Sequence, residues 1–362
     1  MRKVVCVHLL NDFSGSARVL AGVVRELSRR GVPVEVLTNR GGRGFLSDAG
    51  VPVRTFPYRR GGGLWTTLTA YLLSQAALFA ALWRYRREDV TVCVNTLLPF
   101  GAAMAARLLG KRVVYYVHET SLRPRLLKRG LRFVAARTAS AAVFVSRYLL
   151  EEERLPGVPC VLVPNCLPEE LEAAARRPGG ERPAGEPLNV LMVASPRDYK
   201  GVPEFLALAE RLAGEPRVRF ELVLNGTREE IEAYLRRRPR PANLRVHEGT
   251  ADVAPFYARA GLVLNLSRPD EWVETFGLTI LEAMAFGVPV IVPPVGGPRE
   301  LVDDGVEGYR IEGRRLDELA RVILELAGDP ARRRRMSSAC RRKAAQFGRS
   351  AWADRVVEVL HA

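Results

Sequence analysis

Short apolar runs that do not alternate with polar residues recur along this chain, each followed by polar or glycine residues and then by a helical period. The first is Val4 to Leu10. Others lie at 33–38, 51–56, 90–95, 112–117, 141–145, 160–163, 188–194, 218–224, 244–247 and 262–266. A strand covered on both faces has no polar side, so such runs read as buried parallel strands. Their regular exchange with helical patterns predicts an α/β chain of βαβ units. A length of 362 residues suits two domains. Residues 176–187 read RRPGGERPAGEP, rich in Pro, Gly and charge and without an apolar period. They mark a linker, after which the strand–helix pattern restarts. The expected division is 1–168, a linker over 169–187, and 188–349.

An apolar content of 48% supports sizeable cores and excludes a disordered chain. Met1-Arg-Lys runs straight into the first strand pattern, which is too short for a signal peptide. Cys6, Cys93, Cys160, Cys166 and Cys340 are scattered, with no CxxC and no His/Cys metal spacing. Free thiols and a cytoplasmic setting are the expectation. The net charge of +15 is almost all arginine, since only Lys3, Lys111, Lys128, Lys200 and Lys343 are lysine. It reads either as a solvated surface or as a partner for an anionic membrane surface, peripheral on the inner face. Nucleic acid is set aside, because no motif for it is present and the basic runs carry no interleaved aromatics.

Two stretches bear on the membrane question. Residues 64–83, LWTTLTAYLLSQAALFAALW, carry no charge, and their length would span a bilayer. Thr66, Thr67, Thr69, Ser74 and Gln75 make a poor span, and a strand follows at 90–95. The stretch is therefore expected to be a buried crossover helix, with interfacial contact as the other reading. Residues 121–137 place Arg123, Arg125, Lys128, Arg129, Arg132 and Arg137 in a segment without acids. That segment suits an anionic lipid surface or a solvated face equally.

The densest chemistry lies at 274–287, ETFGLTILEAMAFG. Thr275 is a candidate N-cap for a helix starting near Phe276, and Gly287 is placed to stop it. Glu274 would then stand outside the helix entrance and Glu282 about two turns in, roughly 12 Å along the axis. Between them the N–H groups of Phe276, Gly277 and Leu278 would favour phosphate. Two acids could accept hydrogen bonds from hydroxyls at either end. The competing reading is a surface helix with two solvated glutamates.

The longer string 274–309, ETFGLTILEAMAFGVPVIVPPVGGPRELVDDGVEGY, closely resembles the signature of the family-4 glycosyltransferases. Its parts are Glu-x7-Glu, Glu-Ala-Met-Ala-x-Gly-x-Pro-Val, Gly-Gly-x-x-Glu and Asp-Gly-x-x-Gly. The resemblance implies an α/β GT-B fold, two Rossmann-like domains facing across a cleft, with the C-terminal helix 350–362 packing back on the first. It also implies retaining transfer from a nucleotide-sugar donor to a glycan, lipid-linked or small-molecule acceptor in cell-envelope polysaccharide synthesis. Ser195-Pro-Arg-Asp-Tyr-Lys-Gly201 resembles the family's phosphate loop, Lys200 aligning with its lysine and Arg197 standing in for a displaced arginine. By the same resemblance His118, ending the strand at 112–117, orients the donor sugar. Position alone allows a capping histidine, or one that helps the acceptor lose its proton. Gly15, in the loop after the first strand, would face the ligand. Glu119 is a candidate acceptor contact, and His247 reads as structural. Glu282 would hold the ribose, and Glu274 with the amides of Phe276 to Leu278 the sugar and phosphate. Lys200 and Arg197 would steady the leaving diphosphate. No Asp-x-Asp motif occurs, so neither metal nor cofactor is expected. A nucleotide-sugar epimerase, a phosphorylase and a non-catalytic membrane-associated binding protein are the alternatives on the same fold.

Overall fold

The computed structural model describes residues 2–59, 61–177, 186–248 and 252–361, the side chain of residue 64 excepted. Arg60, Gly249, Thr250 and 178–185 of the expected linker lie outside the described residues. The chain divides into two units, Met1–Asn165 with Ser350–Ala362, and Cys166–Arg349.

The first unit is a seven-stranded parallel sheet in the order β3-β2-β1-β4-β5-β6-β7. Its strands are β1 (Lys3–Val7), β2 (Val34–Asn39), β3 (Val53–Phe56), β4 (Val90–Asn95), β5 (Arg112–Val117), β6 (Ala141–Phe144) and β7 (Cys160–Leu162). Val4 to Val7 are wholly buried, as an apolar run without alternation requires. The connecting helices are α1 (Gly15–Arg29), α2 (Leu64–Leu82), α3 (Phe100–Leu108), α4 (Arg125–Thr138) and α5 (Arg147–Glu153). Helix Arg349–His361 closes this unit, Trp352 donating to the Tyr116 hydroxyl at 3.4 Å and Asp354 pairing with Arg30 at 2.7 Å.

Helix α2 is a crossover helix, but it is not buried all round. Tyr71, Leu78 and Leu82 face the unit. So do the polar Ser74 and Gln75, because Gln75 accepts from the Gly101 amide at 3.0 Å and Ser74 donates to the Tyr71 carbonyl at 2.6 Å. A Cβ on Gly101 would lie 2.2 Å from the Gln75 carbonyl oxygen, so α2 and α3 meet backbone to backbone. That close approach uses the small and polar side of α2 and leaves Trp65, Leu72 and Leu73 in solvent.

The second unit is a six-stranded parallel sheet in the order β10-β9-β8-β11-β12-β13. Its strands are β8 (Leu188–Ala194), β9 (Val218–Leu224), β10 (Leu244–Glu248), β11 (Leu262–Leu264), β12 (Val290–Val292) and β13 (Gly308–Arg310). Its helices are α6 (Glu169–Arg176), α7 (Val202–Arg211), α8 (Arg228–Leu235), α9 (Ala254–Arg259), α10 (Leu278–Ala285), α11 (Pro298–Leu301), α12 (Leu316–Gly328) and α13 (Pro330–Ala344). Residues 169–176, grouped above with the linker, are thus helical, their acids Glu169, Glu170 and Glu172 falling in the first turn where the dipole favours them. Helix α10 stops as expected. Gly287 takes φ 70°, its amide reaches Met284 at 2.9 Å, and the Val288 amide reaches Ala283 at 2.9 Å.

Both sheets have one switch point, where the chain leaves successive strands in opposite directions. In the first it lies between β1 and β4, in the second between β8 and β11. Gly201 holds the second open, with φ 83° and room for no side chain, since a Cβ would sit 2.2 Å from the Leu266 carbonyl oxygen. A left-handed conformation costs a non-glycine residue about 1–2 kcal/mol before any clash. Gly201→Ala is expected to lower unfolding stability by more than about 2 kcal/mol in urea titrations. A smaller loss would mean that the β8 and β11 loops are not in direct backbone contact.

Candidate active site

The loop after β8 ends in a 3-10 turn, Asp198–Lys200, pinned by Tyr234 and Arg238, which each donate to Asp198 at 2.7 Å. The loop after β11 comes back over it. The Arg268 amide donates to the Tyr199 carbonyl at 2.8 Å, and the Tyr199 and Trp272 rings stack at 5.3 Å. Lys200 is thereby brought over the Trp272 face, 5.4 Å from its centroid, and 3.0 Å from the Glu274 carboxylate. Both side chains of the pair are partly exposed, so the pair is open to exchange. Arg197 is placed differently. Its guanidinium donates to the Pro196 carbonyl at 3.0 Å and lies 4.0 Å from Glu230. Among the described residues, neither Lys200 nor Glu274 is its partner.

The helix after Glu274 begins later than its sequence predicts. Thr275 is not its N-cap. Gly277 is, with φ 96°, and α10 starts at Leu278. That left-handed φ favours glycine, and a Cβ on Gly277 would also push the end of the Ile280 side chain, 2.5 Å away, aside. The Ile280 and Leu281 amides are already bonded to the Gly277 carbonyl, at 3.0 and 3.1 Å. The helix therefore presents the amides of Leu278 and Thr279 ahead of them. Phe276 turns its ring inward against Phe347. From Leu278 to Glu282 the rise is about 6 Å, one turn rather than two. The Gly296-Gly297 pair fixes the entrance. The Gly297 amide donates to the Glu274 carbonyl at 2.9 Å, and a Cβ on either glycine would strike the backbone of Glu274 or Thr275. Glu282 is not solvated. It is 1% exposed, and the buried Tyr257 hydroxyl donates to it at 2.7 Å.

The switch point of the N-terminal unit carries a second cluster. The Asn95 amide nitrogen donates to the Ser16 carbonyl at 3.1 Å and lies 3.0 Å from His8 Nδ1. A backbone carbonyl can only accept, so the Asn95 amide has one orientation. Its oxygen therefore faces His118 Nε2, 2.8 Å away, and that nitrogen must carry the proton. Nδ1 of His118 is then the accepting nitrogen. Burial, followed by the neighbouring His8, pushes the His118 pKa down to about 3, so the ring is neutral. Ser16 belongs to the first turn of α1, so Asn95 ties the Gly15 turn to His118. The strained Thr96, φ 73°, follows Asn95 directly. Glu119 is buried, with Oε1 accepting from the Leu97 amide at 3.3 Å and Oε2 unpartnered among the described residues. Desolvation raises it to about 7.

The structure thus joins Lys200 with Glu274, and His118 with the Gly15 turn. Each pair lies at its own unit's switch point. Sequence reading missed Asn95, His8 and Tyr257. A polar side chain ending or interrupting an otherwise apolar strand was the available signal for the first two. His247 lies 2.8 Å from Glu221 and against Phe256, in a structural position. Among the described residues no three His, Cys, Asp or Glu side chains group as a metal ion would need.

Two family models match the chain, Glycosyltransferase Family 4 over residues 13–171 and Glycosyl transferases group 1 over 178–343. A D-inositol 3-phosphate glycosyltransferase of Thermobispora bispora is 32% identical over 63% of this chain and 55% of its own length. A D-inositol 3-phosphate glycosyltransferase 1 of Catenulispora acidiphila is 40% identical over 30% of the chain and 25% of its own. The matched stretches therefore span a quarter to about half of these relatives. Among solved structures, Anabaena HepE in complex with UDP and glucose superposes with a TM-score of 0.81 over 100% of both chains, at 20% identity. Sucrose-phosphate synthase from Thermosynechococcus elongatus gives 0.74 over 99% and 98%, at 19%. These likenesses establish the GT-B fold.

Nitrogen-15 spectra are expected to show His118 neutral and Nε2-protonated from pH 5 to 8, and Asn95→Asp to bring its titration into that range. A wild-type ring protonated on Nδ1 would contradict the amide orientation. Glu119 has a folded pKa above its unfolded one. Its stabilising contribution is complete below the unfolded value and is lost as pH rises through about 7. Glu119→Gln should therefore remove a stability loss of up to about 3 kcal/mol between pH 5 and 8, measured by denaturant titration.

Proposed function

The chain belongs to the family-4 glycosyltransferases, and on that premise we propose that it moves a sugar from a nucleotide-sugar donor to an acceptor hydroxyl with the anomeric configuration retained. The single observation that carries this reading is the Lys200–Glu274 pair at the entrance to α10. A diphosphate there would meet the Lys200 ammonium and the amides that open the helix. As the bond from the anomeric carbon to the diphosphate oxygen breaks, charge develops on that oxygen, and a fixed cation stabilises it most at that moment. These groups supply the positive field without a bound metal. Glu274, released from Lys200, would accept from a sugar hydroxyl. Glu282, one turn further on, would take the ribose hydroxyls, with Tyr257 setting its carboxylate.

The state of His118 supports one of the two roles considered for it above. Protonating a ring with a pKa near 3 at pH 7 costs about 5 kcal/mol. It is therefore a poor base for the acceptor, and we assign it to accept a hydrogen bond from the donor sugar through Nδ1. The acceptor proton would leave with the diphosphate oxygen, so that one C–O bond forms as the other breaks. Arg197 is near enough to the phosphate loop to join it only by turning from Glu230.

Relatives and neighbours direct the choice of ligands, since the HepE structures contain UDP and UDP-glucose. A thermal-shift screen of nucleoside diphosphates and nucleotide sugars should begin with these two. A ligand at a hundred times its dissociation constant adds about 2.7 kcal/mol. Lys200→Ala is expected to lower kcat/KM for transfer by on the order of a hundredfold or more at unchanged thermal midpoint, removing an interaction strongest in the transition state. Near-normal turnover in this variant would overturn the leaving-group assignment. Isomerisation of the donor without any acceptor would replace transfer with epimerisation.

A further inference from the structure

The side of the N-terminal unit covered by α2, α3 and α4 is dressed the wrong way for water. Right-handed crossovers put these three helices on one side of the sheet, α2 against α3 and α3 against α4. Along α2 and into the 3-10 turn Trp83–Arg87 that continues it, the positions 65, 68, 72, 76, 79 and 83 repeat at helical spacing on the outer side. Trp65 is 77% exposed and Leu73, at the flank of this stripe, 64%. Phe79 stacks on the exposed Trp83 at 6.3 Å. The stripe runs about 28 Å without a charge, while the helix's own Ser74 and Gln75 are turned inside. It continues on α3 through Leu108, 70% exposed, and on α4 through Leu126 and Phe133.

Charge identifies what such a face meets. Helices α2, α3 and α4 contain no acidic residue. On α4 the basic residues divide by direction. Lys128 and Arg132 turn inward and pair with the buried Glu153. Arg125, Arg129 and Arg137 stand outside at i, i+4 and i+12, with Leu126 and Phe133 among them. Among the described residues Arg125 and Arg129 have no ion-pair partner. Arg84, Arg86 and Arg87 follow the end of α2. A second copy of the chain across a two-fold axis would set arginine against arginine. Exposed tryptophan, leucine and phenylalanine flanked by arginine, with no carboxylate on the three helices, match an anionic lipid headgroup layer over acyl chains.

We infer that this face is a membrane-docking surface, with the outward stripe of α2 lying in the interface plane and the α4 arginines on anionic headgroups. Helix α2 passes by length and composition as a bilayer span. Its buried Tyr71, Ser74, Gln75 and Leu78 tie it into the unit and make it an interfacial helix instead. Helices α2 and α4 start from the carboxyl ends of β3 and β5, so Trp65 and Leu126 lie at the sheet edge that carries His118. If the sugar-transfer reading holds, docking brings that edge to where a lipid-linked acceptor presents its hydroxyl. The docking itself does not depend on that reading.

Co-sedimentation of the full chain with vesicles tests it without any activity measurement. Wild-type protein is expected to pellet with phosphatidylglycerol-rich vesicles and not with phosphatidylcholine alone. The bound fraction should fall several-fold between about 0.1 and 0.5 M salt. Leu72→Glu/Leu73→Glu and Arg125→Glu/Arg129→Glu should each weaken binding by on the order of tenfold, with circular dichroism and thermal midpoint unchanged. No binding of wild-type protein to anionic vesicles at low salt would overturn the inference. So would unaltered binding by the leucine variant, or a wild-type dimer in sedimentation equilibrium that this variant dissolves.

Discussion

A parallel strand whose neighbours are reached by crossovers in opposite directions has no helix over its carboxyl end, and both units of this chain place their candidate site residues in that gap. In the first, the gap between β1 and β4 admits His8, Asn95 and His118. In the second, the gap between β8 and β11 admits Lys200 and Glu274. The two solutions are electrically opposite. The first is a neutral chain of hydrogen bonds, its direction imposed by one backbone carbonyl. The second is an ion pair at 3.0 Å resting on an aromatic face. Glycine follows the first strand of each switch, Gly15 opening α1 and Gly201 preceding α7, where the chain must turn from strand to helix in few residues.

Much of the fold was legible because burial on both faces removes alternation from a strand, and that signature survives in a single sequence. The edge strand β13 left none, being the three residues Gly308–Arg310. The start of α10 was misplaced because threonine is a good N-cap and Gly277 looks like a helix interior. Only the folded backbone shows that Gly277 takes φ 96°, a conformation that favours glycine. Glu274 and Glu282 were visible through the spacing of one motif, and Lys200 through the resemblance of a second, the loop at 195–201. Asn95 and His8 stand 87 residues apart and acquire meaning only when β1 and β4 pair. Tyr257 looks like one more core aromatic until its hydroxyl is found on Glu282.

The arginine content sorts by what the folded chain does with it. Three buried carboxylates gather two cations each. Glu35 takes Lys3 and Arg54, Glu153 takes Lys128 and Arg132, and Glu26 takes Arg30 at 2.8 Å with Arg29 at 3.8 Å. Sharing satisfies both oxygens, and a buried carboxylate stripped of its partners costs about 3–5 kcal/mol. These arginines are structural, and their abundance says nothing about partners. Arginines on α4 and just beyond α2 are placed differently, beside the exposed rings of Phe133 and Trp83. Net charge read from composition could not separate the two populations.

The Lys200–Glu274 pair also sets what the site refuses. A cation with its own internal counterion presents little net field, so a small free anion must break the pair and leaves Glu274 without compensation. A ligand that brings an anion together with hydroxyl donors gives both halves of the pair a new partner. Discrimination against inorganic phosphate and sulfate, abundant in any cell, would then follow from electroneutrality rather than from the shape of a pocket.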